Sequence, residues 1–426
     1  MKSSLRGGSG WVLTGNIGYA ACQYGTLAAI ARLGSAIDVG RFALGLSVAA
    51  PITILTNLHL RAVLATDARG EHPFAAYLAV RLLGTIVAMA ATVLVCTTAN
   101  YDRATEAVIM LVAVAKAVES VSDVVYGLLQ RGERFRRIAF SMLAKGLGTL
   151  VLVGVILRLT RSLVLTTTCM ASLWALLLAT IDLPAARRLS RVWPHFDPPT
   201  LASLTWLALP MGFVMCLGSL NANVPRYVLE AHAGPAALGY FAAMAYLMVA
   251  ASQPSIAFGV AASPRFAVAF ARDPREFHSL SLRFVGQQAV LGSAAFAGIA
   301  VAGPWFLARA YGPDYAGHPD VLLWLGGTTA LSFVTSALGY AITAARRFRA
   351  QLLVAVISLA VCGAASYALI PGFGLLGAAW ALLAAETSRL VSLGIVQVRL
   401  RRQSSLPTHE AEGLASAPSG PVRAAV

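Results

Sequence analysis

Charge is scarce in this 426-residue chain: Asp, Glu, Lys and Arg together make up 12%, about half of the roughly 25% usual in soluble domains. Acid is the scarcer sign, with 18 Asp and Glu against 33 Lys and Arg. Cysteine is scarce as well. Cys22, Cys96, Cys169, Cys216 and Cys362 stand singly inside apolar stretches, a scatter that excludes a zinc ligand set or a redox pair by spacing. No basic segment with interleaved aromatics occurs, so the net charge of +15 does not indicate a nucleic-acid partner. There is no G-x-x-x-x-G-K-[ST] loop for nucleotide hydrolysis, and no HExxH or GxSxG motif. No connecting loop is long enough for a catalytic cleft. The expectation is a non-enzyme without a resident cofactor.

What the chain does have is apolar length. Its composition is 58% hydrophobic and its mean hydropathy is +0.72. The charges gather in short clusters separated by stretches of about 20 residues, each about 30 Å long as a helix, which matches a bilayer's hydrocarbon core. Continuous runs of this kind suit helices and not alternating barrel strands. Spans are expected near 11–32, 41–65, 75–99, 105–129, 138–158, 162–186, 201–229, 238–264, 284–309, 319–344, 350–370 and 374–398. The fold class is therefore all-α, a polytopic membrane protein of about twelve helices. The opening "MKSSLRGGSGW" has a basic flank, but the apolar run behind it is too long for the core of a signal peptide and reads as an uncleaved first helix.

The longest break is "RRLSRVWPHFDPPT" at 187–200, with paired prolines and clustered arginines. It divides the chain into a six-helix half at 1–190 and another at 201–400, joined by a cytoplasmic linker. Residues 403–426, rich in Ala, Ser, Pro and Gly, read as a disordered tail. With the N-terminus inside, the cytoplasmic segments hold about 21 Lys and Arg and the outer ones about 6, a strong positive-inside bias that also returns the C-terminus to the cytoplasm.

One short pattern occurs twice. Gly34, Gly40 and Phe42 follow the first span, and Gly234, Gly239 and Phe241 follow the seventh. Both would turn at the outer face, as expected of two halves repeated in the same orientation. Only the first copy is charged, with Arg32, Asp38 and Arg41. Asp38 is expected to form a local salt-linked hinge there. The glycine-rich "GFGLLG" at 372–377 reads as close helix packing at the start of the last span.

Polar residues at bilayer depth fall in register on four helices. Asn16, Tyr19, Gln23 and Thr26 share a face of the first; Thr53, Asn57 and Arg61 share one on the second. Lys116, Glu119, Ser120, Asp123, Tyr126 and Gln130 share one on the fourth; Ser219, Asn223, Arg226 and Glu230 share one on the seventh. Intramembrane charge usually faces a cavity or a partner. The neutral groups could equally be interhelical glue at roughly 1 kcal/mol each. Lys116 with Glu119, and Glu386 with Arg389, are spaced as local pairs. Arg61 has no acid in its own helix, which makes it a candidate ligand group, with snorkelling to the interface as the other reading. Arg32 and Arg226 lie near the expected outer mouth, where an interface anchor is the plainer role.

The stretch "ARLGSAIDVGRFALGLSVAAPI", with Arg32, Leu33, Gly34, Asp38, Gly40 and Phe42, resembles the start of the polysaccharide-transporter branch of the multidrug/oligosaccharidyl-lipid/polysaccharide exporter superfamily. "LGYFAAMAYL" at 238–247 and "IPGFGLLGAAWALLAAETSRLV" at 370–391 are similar to that family's eighth helix and its last connection with the twelfth helix. Ser35 stands where a proline is common. The resemblance implies two six-helix halves around a central cavity bordered by the first, second, seventh and eighth helices. It implies a flippase of the O-antigen, capsule or exopolysaccharide type in the bacterial inner membrane. Such a protein carries a polyprenyl-pyrophosphate oligosaccharide, with membrane lipids and other assembly proteins (a polymerase, a chain-length regulator) as partners.

On that reading Arg61 meets the headgroup, with Arg32 and Arg226 nearer the outer mouth, because arginine offers a bidentate fork to phosphate. Gln23, Asn57, Asn223 and Gln253 are hydrogen-bonding candidates for sugar or phosphate. Asp123, Glu119 and Glu230 are candidates for a coupling cation, if a proton or sodium gradient or the membrane potential drives transport. Two other classes remain open at this point. A cation-coupled drug or metabolite antiporter of the same superfamily would use a buried acid such as Asp123. A membrane glycosyltransferase, polymerase or ligase would need a large outer loop, which the chain lacks; a non-transporting scaffold of an assembly complex is a further alternative.

Overall fold

The computed structural model describes residues 2–67 and 71–405, and no strand occurs among them. Arg69 and most of the tail, from residue 406, lie outside the described residues. The helices are α1 (Lys2–Leu33), α2 (Ala36–Asn57), α3 (Leu60–Thr66), α4 (Phe74–Ala99), α5 (Arg103–Arg131), α6 (Phe135–Thr160) and α7 (Leu163–Leu177). A π turn (Leu178–Asp182) joins α7 to α8 (Leu183–Arg187). The chain continues through α9 (Pro198–Arg272), α10 (Pro274–Ala310), a 3-10 turn (Pro313–Ala316), α11 (Pro319–Ala344) and α12 (Phe348–Ser405). The last helix thus runs through Ser405, three residues into the segment expected to be disordered.

Among the described residues, eight helical stretches are long and apolar enough to cross a membrane, with α2 and α3 taken as one and α7 through α8 as another. Two of the eight are far longer than a single crossing. α9 runs for 75 residues and breaks at Gly234, where φ is 78°. α12 runs for 58 residues and breaks at Gly374, where φ is 54°. Both angles are left-handed, a region open to glycine at little cost. Eight is fewer than the twelve segments expected: the two long rods each count once, and α1 and α5 are not among the eight. α5 fails the apolar test because it carries Lys116, Glu119 and Asp123 through its middle.

Helix starts follow from capping chemistry. At α2 the Ser35 hydroxyl accepts the Asp38 N–H at 3.2 Å, and Asp38 Oδ2 accepts the Ser35 N–H at 2.9 Å. Asp102 starts α5 in the same manner, accepting Thr105 N–H at 2.9 Å, and Asp197 caps α9 through Thr200 at 3.2 Å. Such side chains satisfy amides that a helix leaves free at its first turn. One boundary departs from expectation. The span foreseen at 41–65 is cut by Leu58 (φ 51°) and His59 (φ 53°), so α2 ends and α3 begins inside it. Neither Gly nor Pro marks the cut, which falls in the stretch Asn57-Leu58-His59-Leu60-Arg61.

The repeated pattern has a steric explanation. A Cβ on Gly40 would lie 1.7 Å from the carbonyl oxygen of Pro235, and one on Gly239 would lie 2.1 Å from that of Ala36. Each copy's glycine therefore receives the backbone of the other copy, an approach open only to a residue without a side chain. Phe42 and Phe241 are buried beside this contact in one core with Leu27, Val108, Met244 and Ile299. Gly377 similarly lies under Leu369, whose carbonyl would be 2.5 Å from an added Cβ, in keeping with close packing at "GFGLLG".

The charges of the first copy do not form the expected hinge. Asp38 is occupied as a cap by Ser35. Arg41 reaches across to Asp102 at 3.2 Å instead. Adjacent acid and base in sequence were separated because a cap demands a carboxylate three residues into the helix, while Arg41 points to the start of α5.

Candidate functional site

Four predicted residues meet in one cavity of about 320 Å³: Asn57, Arg61, Glu119 and Asp123. Its other lining groups include Tyr19, Thr53, Lys116, Ser120, Tyr126 and Lys145. Every lining residue falls between 19 and 145, so this cavity lies within the first half and not between halves, as had been expected of a central cavity. The physical reason is the tight meeting of α2 with α9. Besides the glycine pair above, Gly212 lies against Leu58 and the carbonyl of Leu55, with 3.1 and 3.2 Å to an added Cβ.

The charged groups form three adjoining arrangements. In the first, Lys116 donates to Glu119 Oε2 at 2.7 Å, Tyr19 donates to Glu119 Oε1 at 2.6 Å, and Gln23 donates to Tyr19 Oη at 2.7 Å. The i, i+3 pair expected on this helix is therefore formed, and Gln23 acts on the cavity through Tyr19. In the second, Lys145 donates to Asp182 Oδ2 at 2.7 Å and to Tyr126 Oη at 3.0 Å, while Ser141 donates to Asp182 Oδ1 at 2.6 Å. Asp182 closes the π turn, where the Leu183 N–H reaches back to Leu178 O. Pro184 follows and supplies no N–H, so the hydrogen-bond ladder slips there by one residue.

In the third arrangement one carboxylate serves two guanidinium groups. Asp123 Oδ1 lies 3.4 Å from Arg61 Nη1, and Asp123 Oδ2 lies 3.6 Å from Arg81 Nη2. Arg61 is not unpaired, as its own helix had implied; its acid comes from α5. Its guanidinium also stands over the Tyr126 ring at 5.6 Å and its Nε reaches Gln130 Oε1 at 3.4 Å. Arg81, on α4, is fully buried behind the cavity.

The remaining predicted residues lie elsewhere. Arg32 donates to the last carbonyls of α10, Ala308 at 2.9 Å and Ala310 at 3.2 Å, which is a helix C-terminal cap. Arg226 donates to Asn223 Oδ1 at 3.2 Å and Ser47 Oγ at 3.4 Å. It lines a second cavity of about 330 Å³ with Gln253, Asn221, Ser252, Thr328, Ser332 and Glu386. Asn223 is held by Ser219 O at 2.8 Å and does not line that cavity. Glu230 lines neither cavity. Glu386 accepts from Thr335 and pairs with Arg389 at 3.6 Å, the second i, i+3 pair expected.

As cation ligands, Glu119 and Asp123 are already matched by Lys116 and by two arginines, so neither offers a free oxygen cage. No group of three or more His, Cys, Asp or Glu that could hold a metal occurs among the described residues. Sequence reasoning missed Lys145, Asp182 and Arg81 as parts of the site. Lys145 and Arg81 are single charges inside long apolar stretches, the signal that drew attention to Arg61. Asp182 is likewise the single charge of the expected span 162–186, but it lies near that span's end, five residues before Arg187.

Comparison with known proteins points to one fold and one family. The chain is 26% identical over 387 residues to the capsular polysaccharide biosynthesis protein CapF of Staphylococcus aureus, covering 90% of this chain and 96% of that one. Its structure is similar to that of the lipid II flippase MurJ in an inward closed conformation, with a TM-score of 0.72 at 10% identity, covering 96% of this chain and 93% of that one. It is also similar to an inward-facing multidrug resistance MATE family transporter of the MOP superfamily, with a TM-score of 0.61 at 14% identity and coverage of 95% and 96%. The fold is thus the all-α, multi-pass membrane fold of these transporters. The model of the family described as polysaccharide biosynthesis protein matches residues 5–270, more than half of the chain, and the chain belongs to that family.

Proposed function

We propose that this protein moves a polyprenyl-pyrophosphate-linked oligosaccharide from the inner to the outer leaflet of a bacterial inner membrane, for a capsule-type surface polysaccharide. The observation that carries the reading is the cavity around Arg61, where cations outnumber acids and neutral donors surround them. Arg61, Lys116 and Lys145 line it against Glu119 and Asp123, with Asn57, Thr53, Ser120 and Tyr19 between them. A pyrophosphate that joins lipid to sugar bears a negative charge on each phosphoryl group, and a guanidinium fork is the side chain best matched to it. A cavity of about 320 Å³ has room for a headgroup fragment and not for a polyprenyl tail. The tail stays in lipid.

Positive-inside bias puts the Arg61 end of the bundle in the cytoplasm and the Gly40–Gly239 contact at the outer face. Transport then requires the two six-helix halves, 1–190 and 201–400, to part at the glycine contact and release the headgroup outward. The family and the capsular relative support the polymer class. The test is complementation of a strain lacking this gene. Arg61→Ala is expected to abolish surface polysaccharide while the protein still reaches the membrane, and Arg61→Lys to restore it in part, since an ammonium lacks the fork. Normal polysaccharide with Arg61→Ala would overturn the reading.

A further inference from the structure

We propose that Asp123 is a hand-off carboxylate: it restrains Arg61 while the cavity lacks its anion, and moves to the buried Arg81 when a pyrophosphate takes Arg61. Asp123 and Arg81 thereby set the affinity of the site, Arg81 as a positioning residue that never touches the substrate. The inference rests on the headgroup reading of Arg61 given above.

The cavity's other cations each own a close acid. Lys116 holds Glu119 at 2.7 Å and Lys145 holds Asp182 at 2.7 Å. Asp123 alone is shared, and both of its contacts are loose, 3.4 Å to Arg61 and 3.6 Å to Arg81. A charge-assisted N–H···O bond closes to about 2.7–2.9 Å, so neither guanidinium has the bond it is able to make. Arg81 shows the deficit most plainly. Its side chain is 0% exposed, and Nε, Nη1 and Nη2 all lack a hydrogen-bond partner. A buried guanidinium in that condition is costly. A shift of less than about 1 Å by the Asp123 carboxylate would convert the 3.6 Å contact into a full bond. The carboxylate is free to make that shift, since its side chain is 32% exposed on the cavity side.

What holds it midway is Arg61. One carboxylate between two guanidiniums leaves a surplus positive charge, and an incoming phosphate supplies the missing anion on the Arg61 side. Binding then gives Arg61 a stronger partner and releases Asp123 to satisfy Arg81. Part of the affinity comes from that second bond, formed away from the ligand. An empty site stays partly neutralised by its own acid and does not retain stray anions at full strength.

The test uses the full-length protein in lipid nanodiscs, titrated with inorganic pyrophosphate at constant ionic strength by calorimetry. Wild type binds, and Arg61→Ala does not. Arg81→Met is expected to weaken binding about fivefold or more, because Asp123 then stays on Arg61; the double variant Arg81→Met/Asp123→Asn regains wild-type affinity or exceeds it. The hand-off is read from the coupling: Asp123→Asn is expected to raise affinity by a larger factor in the Arg81→Met background than in wild type, an excess that additive charge effects do not give, and equal factors in the two backgrounds overturn it. Arg81→Lys keeps the charge and is expected to lie near wild type. If Arg81→Met binds as wild type, or if the double variant is as weak as Arg81→Met, the hand-off is overturned while the headgroup reading stands. If wild type and Arg61→Ala take up pyrophosphate equally or not at all, the headgroup reading fails and the hand-off with it.

Discussion

The cavity at 19–145 and the cavity at 221–386 are close in size, about 320 and 330 Å³, and unlike in charge. The first is lined by Arg61, Lys116, Glu119, Asp123 and Lys145, with Arg81 and Asp182 behind the wall. The second has Arg226 and Glu386 and is otherwise neutral. A repeated fold need not repeat its chemistry. The glycine and phenylalanine pattern recurs because the two copies must interlock, and that requirement is symmetrical. On the proposed function, ligand charge is met once, by the linked pairs of the cavity at 19–145, while the cavity at 221–386 presents amides and hydroxyls of the sort a sugar can use.

Four experiments test this contrast, in descending order of the loss each should cause. Lys145→Ala strands the buried Asp182 carboxylate and is expected to destabilise the protein by about 3–5 kcal/mol in detergent unfolding. The double change Lys145→Met/Asp182→Leu removes both charges and should recover most of that loss, leaving transport as the property that still fails. Gly40→Val drives a side chain into the Pro235 carbonyl. It should cost about 1–3 kcal/mol and favour forms parted at that end, read as increased labelling of a cysteine placed at position 36.

In the second cavity Glu386→Gln is expected to cost less, about 1–2 kcal/mol, because its partner Arg389 is half open to solvent and a hydrogen bond to Thr335 can persist. An equal loss for Glu386→Gln and Lys145→Ala would erase the contrast between the halves. Arg32→Ala should be the mildest, with surface polysaccharide unchanged and a melting shift of about 2 °C or less, since it removes only a helix C-terminal cap.

Much of this organisation was legible in the sequence because membrane helices announce themselves by length and apolarity, and their polar faces by helical period. Asn57 with Arg61 on one helix, and Glu119 with Asp123 on another, were found for that reason, the first two as substrate contacts and the others as ion-coupling acids; that the two faces meet in one cavity was not foreseen. Lys116 with Glu119 and Glu386 with Arg389 were legible as neighbours one turn apart. Contacts between helices were not. Arg61 lacked an acid in its own helix, and nothing in its neighbourhood pointed to Asp123. Arg32 and Arg226 shared the arginine chemistry of Arg61, but one caps α10 and the other is tied to Asn223 and Ser47. The cut at Leu58 and His59 was missed because neither residue is a usual turn former, although both adopt positive φ there. The glycine pattern was visible as a repeat, while its meaning, each copy accepting the other's backbone, depends on a meeting of residues two hundred positions apart.

Arg81 also bears on how the protein is made. α4 leaves the ribosome before α5, so this arginine reaches the membrane while Asp123 is still unsynthesised. An arginine inside a span adds roughly 2.5–3.5 kcal/mol to insertion at a helix centre. The rest of α4 is apolar enough to cross, with a mean hydropathy of 2.2 over its best window, but its settled position requires the acid that arrives later. The two helices are joined by a short turn at Asn100–Asp102. They form a hairpin whose second arm carries the acid that faces the first arm's buried arginine, 3.6 Å away.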